Sequence, residues 1–183
     1  TVTSPNAGTL HESDGLTAKI GGGFINVEQL FGGLGADVFN VNDSLSGDGT
    51  AVGVPSSIAI NAGAGQDTVT VADDVTMTGG IETGSEVDTV TVGNQVNIDG
   101  GIGLGSGNDI IQFNGVAAAD VAAGSGNDQI TLATTAVVTG TLDGGTGSDT
   151  ITTGDVATTF VIDGVDAGSI IGRASGFQGV ENL

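Results

Sequence analysis

Residues 105–113 read GSGNDIIQF and residues 124–132 read GSGNDQITL, and this repeated phrase decides the fold. In each copy an Asp stands two positions after the second glycine, and apolar residues stand two and four positions after that Asp. Apolar residues at every second position are typical of a strand with one buried face. The phrase therefore predicts a tight glycine turn that leads into a short, half-buried strand.

The glycine turn recurs along the whole chain as Gly-x-Gly-x-Asp. Its five full copies are Gly33, Gly35 and Asp37; Gly63, Gly65 and Asp67; Gly105, Gly107 and Asp109; Gly124, Gly126 and Asp128; and Gly145, Gly147 and Asp149. A sixth copy keeps Gly84 and Asp88 but has Glu86 in place of the second glycine. Successive Asp residues are 30, 21, 21, 19 and 21 positions apart. Apart from one insertion, the repeat is therefore about twenty residues long.

A repeat of this length fits one coil of a solenoid. A second short strand is readable before each glycine turn, for example from Gln95 to Ile98. Two strands and two turns fill about twenty residues, and equivalent strands of stacked coils pair in parallel about 4.8 Å apart. The sequence therefore predicts an all-β fold, a parallel β-solenoid of the β-roll or β-helix type.

The chain is predicted to be one solenoid segment, residues 1–183, of a longer tandem array. The single thirty-residue spacing contains residues 43–57, whose glycines and Pro55 predict a loop extruded from one coil. Residues 1–30 and 160–183 are related copies of a longer repeat, since Phe24 to Leu30 resembles Phe177 to Leu183.

The amino-acid composition limits the classes of partner and function that the chain can have. The chain has 35 Gly, 6 Phe, no Trp and no Tyr, which argues against a thick globular core. A net charge of −20, with only two basic residues, argues against nucleic acid and anionic membranes as partners and favours a cation. The chain has no Cys, no apolar stretch long enough to span a membrane and no signal-peptide pattern. We expect any export signal to lie outside it.

The glycine turns are candidate metal sites. Alternate glycines free carbonyl groups to point inward, and an Asp two residues later adds a carboxylate, which are the oxygen ligands that calcium takes in sets of six to eight. A column of Asp residues about 4.8 Å apart repels by about 1 kcal/mol per pair in bulk water and several times more inside a protein. Bound cations would offset this repulsion, and backbone N–H groups donated to each carboxylate would do so in part. Both roles fit the sequence, because Asp also stabilises turns without metal.

The turns resemble the glycine-rich repeats of the RTX, or haemolysin-type calcium-binding, proteins. Gly32 to Phe39 and Gly144 to Ile151 match the motif Gly-Gly-x-Gly-x-Asp-x-apolar in full. The resemblance implies that the six turn Asp residues bind calcium and that their companion glycines donate carbonyl oxygens. These implied ligands are Asp37, Asp67, Asp88, Asp109, Asp128 and Asp149, with Gly33, Gly35, Gly63, Gly65, Gly105, Gly107, Gly124, Gly126, Gly145 and Gly147. RTX turns recur every nine residues and line both edges of the roll, whereas here one turn occurs per coil.

A second resemblance is to the long repeats of giant bacterial surface and adhesin proteins. In those repeats a Phe-x-x-Val-Glu-Asn-Leu phrase leads into a glycine turn, and residues 177–183 read FQGVENL. The resemblance implies a secreted or cell-surface location and a structural role in an adhesin or fibre. Adjacent repeats, or identical subunits stacked head to tail, would then be partners, because open solenoid ends expose strand edges.

Two other functions stay open. Parallel β-helices also occur as calcium-dependent enzymes that act on polysaccharides, and an adhesin surface can bind a glycan or a protein. Against catalysis, the acidic residues follow the period of the fold, and His11 has no second histidine or nucleophile near it in the sequence. We predict a non-catalytic chain in which Lys19 and Arg173 pair with local carboxylates.

Overall fold

The computed structural model describes residues 30–42 and 58–183, and every regular element in these ranges is a β-strand. The predicted loop at residues 43–57, most of the copy at residues 1–30, His11 and Lys19 lie outside the described residues. Nowhere in the two described ranges is there a helix able to span a membrane. Numbered in chain order, the strands are β1 (Leu30–Gly33), β2 (Val38–Val41), β3 (Ile58–Ala64), β4 (Thr68–Val71), β5 (Thr76–Met77), β6 (Gly80–Ser85), β7 (Thr89–Val92), β8 (Val96–Ile98), β9 (Ile102–Ser106), β10 (Ile110–Phe113), β11 (Val116–Ala118), β12 (Val121–Ala122), β13 (Ser125–Gly126), β14 (Gln129–Leu132), β15 (Val137–Asp143), β16 (Thr146–Gly147), β17 (Thr150–Thr153), β18 (Phe160–Gly164), β19 (Ala167–Ile170) and β20 (Ala174–Gln178).

One side of the solenoid is a six-stranded parallel sheet built from the strands that follow the glycine turns. Its order is β2, β4, β7, β10, β14, β17. Thr89 pairs with Thr68 on one side and with Ile110 on the other, and Ile110 pairs with Gln129. Neighbouring strands are thus 21 or 19 residues apart, as the spacing of the Asp residues predicts. The parallel β-solenoid fold is confirmed.

The other side is a fourteen-stranded sheet. A coil contributes to it one strand before and one strand after a bend in the chain. In one coil the chain runs through β6, the glycine turn, β7, a second turn, and β8, and then β9 stacks on β6. The predicted second strand of the coil is continuous in β15, whereas β8 and β9 are separated by a bend at Gly100 and Gly101.

The core is a thin stack of side chains from strands of both sheets. Two and four positions after each turn Asp, the inward residues are apolar except Thr153, and those from β4 to β14 are fully buried. Side chains of a strand alternate between its faces, so the residues between these positions point outward. The stacked inward residues include Val69, Val71, Val90, Val92, Ile111, Phe113, Ile130, Leu132 and Ile151. The core thus repeats coil by coil.

The parallel stack changes character after β17. Strands β18, β19 and β20 pair with one another in antiparallel fashion, and β20 pairs in parallel with β15. Arg173 is buried here, with its guanidinium donating to the carbonyl oxygens of Leu132, Ala133 and Ala136. The prediction that Arg173 pairs with a carboxylate is wrong, because its side chain is buried at the end of the coil and donates to backbone carbonyl groups instead.

Candidate functional site

The glycine turns place the backbones of neighbouring coils in close contact. Gly105 has a φ of +96°, and a Cβ atom there would overlap the carbonyl oxygen of Gly84 in the coil below. The equivalent glycines pair in one column, since Gly33 lies beside Gly63, Gly63 beside Gly84, and Gly84 beside Gly105. The turn therefore requires glycine for both its dihedral angle and its space.

Glu86 is the exception at the second glycine position. It adopts a φ of 81°, in the region that side-chain-bearing residues rarely occupy, and its side chain is exposed. A non-glycine residue in this conformation carries backbone strain. The imperfect turn of the sequence is thus a strained turn in the structure.

The turn Asp residues form one buried column at the corner of the solenoid. Asp67, Asp88, Asp109, Asp128 and Asp149 each have at most 2% of their surface exposed, and Asp37 is half-buried. Hence the six predicted site residues come together as a column, one per coil, with their side chains inside the solenoid. Charged carboxyl groups are almost never buried so fully unless they have partners.

Five of the six carboxylates in this column, those of Asp67, Asp88, Asp109, Asp128 and Asp149, accept a hydrogen bond from the backbone of the preceding coil. The N–H of Asp37 donates to Oδ1 of Asp67 at 2.7 Å, and the N–H of Asp67 donates to Oδ1 of Asp88 at 2.7 Å. The pattern continues at 2.8 Å from Asp88 to Asp109, from Asp109 to Asp128 and from Asp128 to Asp149. We call this chain of bonds the carboxylate ladder. It joins successive coils, whereas the metal-free role expected of a turn Asp is local.

Glu181 completes the carboxylate ladder at its last described step. The N–H of Asp149 donates to Oε2 of Glu181 at 2.7 Å. The neighbouring Asn182 forms a parallel bridge with Thr150, which places Glu181 at the level of a turn Asp. Its offset from Asp149 is 32 residues rather than 21, because β18 and β19 intervene. Counting the glycine turns did not find Glu181; the FQGVENL phrase was its only signal.

The second oxygen of each buried Asp has no hydrogen-bond partner. This applies to Oδ2 of Asp67, Asp88, Asp109, Asp128 and Asp149. Burial raises the pKa of Asp67 and of Asp109 to about 6, and also raises the pKa of Asp88, Asp128 and Asp149. The backbone donors and the neighbouring negative charges act in opposite directions on these pKa values. The ladder thus satisfies one oxygen per carboxylate and leaves the other without a partner.

The unpaired Oδ2 atoms have the right chemistry for a hard cation but supply only one oxygen per coil. Calcium takes six to eight oxygen ligands. In the described part of the chain, no three acidic or histidine side chains converge as a metal-binding group. The glycine carbonyls take part in bonds between coils, as when Gly124 accepts from the N–H of Thr146 at 2.8 Å. The column therefore offers one unpaired carboxylate oxygen per coil, and calcium binding stays a prediction.

A second ladder runs beside the first on the solvent side of the same turns. The N–H of Asn127 donates to Oδ1 of Asn108 at 2.8 Å, and the N–H of Ser148 donates to Oδ1 of Asn127 at 2.9 Å. Here the donor lies in the later coil, so the direction is opposite to that of the carboxylate ladder. The two ladders hold the turn from both faces. The outer ladder was not predicted, although the repeated Asn-Asp pair signals it.

A shallow groove of about 370 Å³ lies on the outer face of the fourteen-stranded sheet. Glu82, Asp120 and Asp143 contribute carboxylates to it, and none of its lining side chains is aromatic or basic. Asp120 accepts from the N–H of Thr141, and Asp143 accepts from the Gln178 amide. Two of the three carboxylates therefore connect neighbouring strands.

Comparison with family models, curated proteins and solved structures gives no match to this chain. The inference of function therefore depends on the residues and on the geometry of the solenoid.

Proposed function

We propose that this chain is a non-catalytic structural repeat module of a secreted or cell-surface adhesin or fibre. The observation that carries the proposal is the carboxylate ladder, in which Asp37 to Glu181 connect one coil to the next. A hydrogen bond to a charged group stabilises by about 1.5–3 kcal/mol, and truncating its acceptor leaves a buried N–H unpaired. The periodic acidic residues thus serve the stiffness of the coil stack.

Stacking also supports the expected partners. Residues of a solenoid contact only their own and adjacent coils, and an end coil exposes strand edges. Adjacent repeats of a longer array, or identical subunits placed head to tail, would cover these edges. A rod assembled in this way fits a spacer that holds a binding domain away from a surface.

Calcium is the ion that the RTX resemblance implies, and we include it in the proposal as a stabiliser of the column. Asp67, Asp88, Asp109, Asp128 and Asp149 would hold it through their unpaired Oδ2 atoms, which otherwise leave negative charge buried. The calcium ion would supply positive charge that offsets the charge of these carboxylates. Further oxygen ligands would have to come from the carbonyl groups of the turn glycines or from water.

The structural role is tested by locating the protein and by measuring its shape. Antibodies against the chain should label the exterior of intact source cells, and small-angle scattering should give the profile of a stiff rod. A screen of neutral and acidic polysaccharides should show no bond cleavage. Labelling confined to the cell interior, or turnover of a polysaccharide, would overturn the proposal.

A further inference from the structure

The outward face of the six-stranded sheet differs from the rest of the molecule. We call it the threonine face. It consists of two outward residues from each strand, namely Val38, Asn40, Thr68, Thr70, Thr89, Thr91, Ile110, Gln112, Gln129, Thr131, Thr150 and Thr152. None of these residues is charged, although the chain carries a net charge of −20. The outer face of the other sheet, by contrast, carries Glu82 and Asp143.

The hydroxyl groups of the threonine face are available to a partner. The side chains of its seven Thr residues are half-buried or exposed, and their hydroxyls make no hydrogen bond to any other described residue. Thr is branched at Cβ, which restricts its χ1 angle. Each residue therefore presents a hydroxyl and a methyl group at a nearly fixed position.

The strand register arranges these groups in a two-dimensional lattice. Thr68 lies beside Thr89, and Thr70 beside Thr91, with no register shift in this sheet. Equivalent residues of stacked strands are about 4.8 Å apart, and outward residues of one strand are about 6.7 Å apart. Two blocks result, one of Thr68, Thr70, Thr89 and Thr91, and one of Thr131, Thr150 and Thr152, separated by Ile110 and Gln112.

Crystalline water has a closely similar lattice. With O–H···O distances of about 2.75 Å and tetrahedral angles, second-neighbour oxygens of ice are about 4.5 Å apart, and the repeat across its layers is about 7.3 Å. The mismatch is about 0.3 Å per coil and about 0.6 Å across the strand, so side chains keep register with ice over two or three coils. Each threonine block is no longer than this.

We propose that the threonine face binds the surface of ice. Its hydroxyls occupy oxygen positions of the lattice, and its methyl groups exclude mobile water between them. The absence of charge removes the hydration that would compete with an ordered solid. The absence of aromatic side chains from the face disfavours a polysaccharide surface, which is bound by stacking on rings.

The test uses the full chain in an ice recrystallisation assay and in partition of the amine-labelled protein into a slowly grown ice crystal. The wild-type chain should slow recrystallisation and enter the ice, while an unrelated acidic protein of similar size is excluded. Thr91→Lys should raise the protein concentration needed to inhibit recrystallisation by about tenfold, because an ammonium group breaks the lattice match. Thr91→Val, which keeps the branched shape, should have a smaller effect in the same direction.

Thr139→Lys is the matched control, because Thr139 is exposed on β15 in the other sheet. It should melt like Thr91→Lys and inhibit recrystallisation like the wild type. The proposal is overturned if the wild-type chain is excluded from ice, or if the two lysine variants lose activity equally. Neither result would affect the structural role, whose tests are location and shape.

Discussion

The backbone N–H of Asp88 donates to Oδ1 of Asp109 at 2.8 Å, while Oδ2 of Asp109 lies buried without a partner. The carboxylate of Asp109 therefore has two opposite effects on the stability of the fold. Its first oxygen joins two coils, and its second keeps negative charge in the interior, which disfavours the ionised form.

Substitutions at Asp109 should separate these two effects. Asp109→Asn keeps an oxygen acceptor and removes the charge, so we expect its stability at pH 7.5 without calcium to equal or exceed that of the wild type. Asp109→Ala leaves the N–H of Asp88 unpaired and should cost about 1–3 kcal/mol in the free energy of unfolding. Urea denaturation measures both. Equal losses in the two variants would show that charge, rather than the acceptor, matters at this position.

Stability should rise as the pH falls from 7.5 to about 4. The pKa values of Asp67 and Asp109 are raised to about 6 in the folded chain, from an ordinary value of 3.8. Because the folded state then binds more protons than the unfolded state, acidification through pH 6 favours folding until the ordinary pKa is reached. Thermal melting in a chelating buffer measures this slope.

Relief of general charge repulsion would also raise the Tm on acidification, so the slope needs a control. Asp109→Asn and Asp163→Asn each remove one carboxylate, the first buried and the second exposed. The pH dependence should become shallower in Asp109→Asn than in Asp163→Asn. A wild-type Tm that falls between pH 7.5 and 5 would contradict the buried, unpaired state of the column.

Calcium and protons should compete for the same column. If the ion is held by the Oδ2 atoms, millimolar calcium should raise the Tm at pH 7.5 by mass action and have a smaller effect at pH 5, where protons neutralise the carboxylates. Asp109→Asn should reduce the calcium effect, and Asp163→Asn should leave it unchanged. Identical melting in calcium and in chelator at pH 7.5 would assign the Asp column to structure alone.

The sequence predicts the repeating part of the fold well because successive coils share the same spacing of Asp and apolar residues. The spacing of Asp88, Asp109 and Asp128 predicts the register of the six-stranded sheet, and the residues two and four positions later predict the core. The direction of the carboxylate ladder is not predictable in this way, since it depends on whether each Asp side chain turns towards the coil before it or the coil after it. Glu181 was not predicted, and the partners of Arg173 were predicted wrongly, because β18 and β19 break the period just before these two residues.

Glu86 allows the cost of the imperfect turn to be measured. It holds a φ of 81° at a position where the neighbouring coils have Gly65 and Gly107, both with positive φ. Glu86→Gly should therefore increase the free energy of unfolding by about 1 kcal/mol, since glycine adopts this conformation without a steric penalty. The gain is reduced by the greater backbone freedom of glycine in the unfolded chain.

Glu86→Gln is the control for charge, because it removes the carboxylate and keeps the strained side-chain-bearing backbone. We expect it to melt close to the wild type and below Glu86→Gly at both low and high salt. If instead Glu86→Gln gains as much as Glu86→Gly, repulsion from Asp67 and Asp88 rather than backbone strain is what destabilises this turn. A stability gain that depends on salt would likewise indicate charge repulsion, because screening weakens repulsion between charges and leaves dihedral strain unchanged.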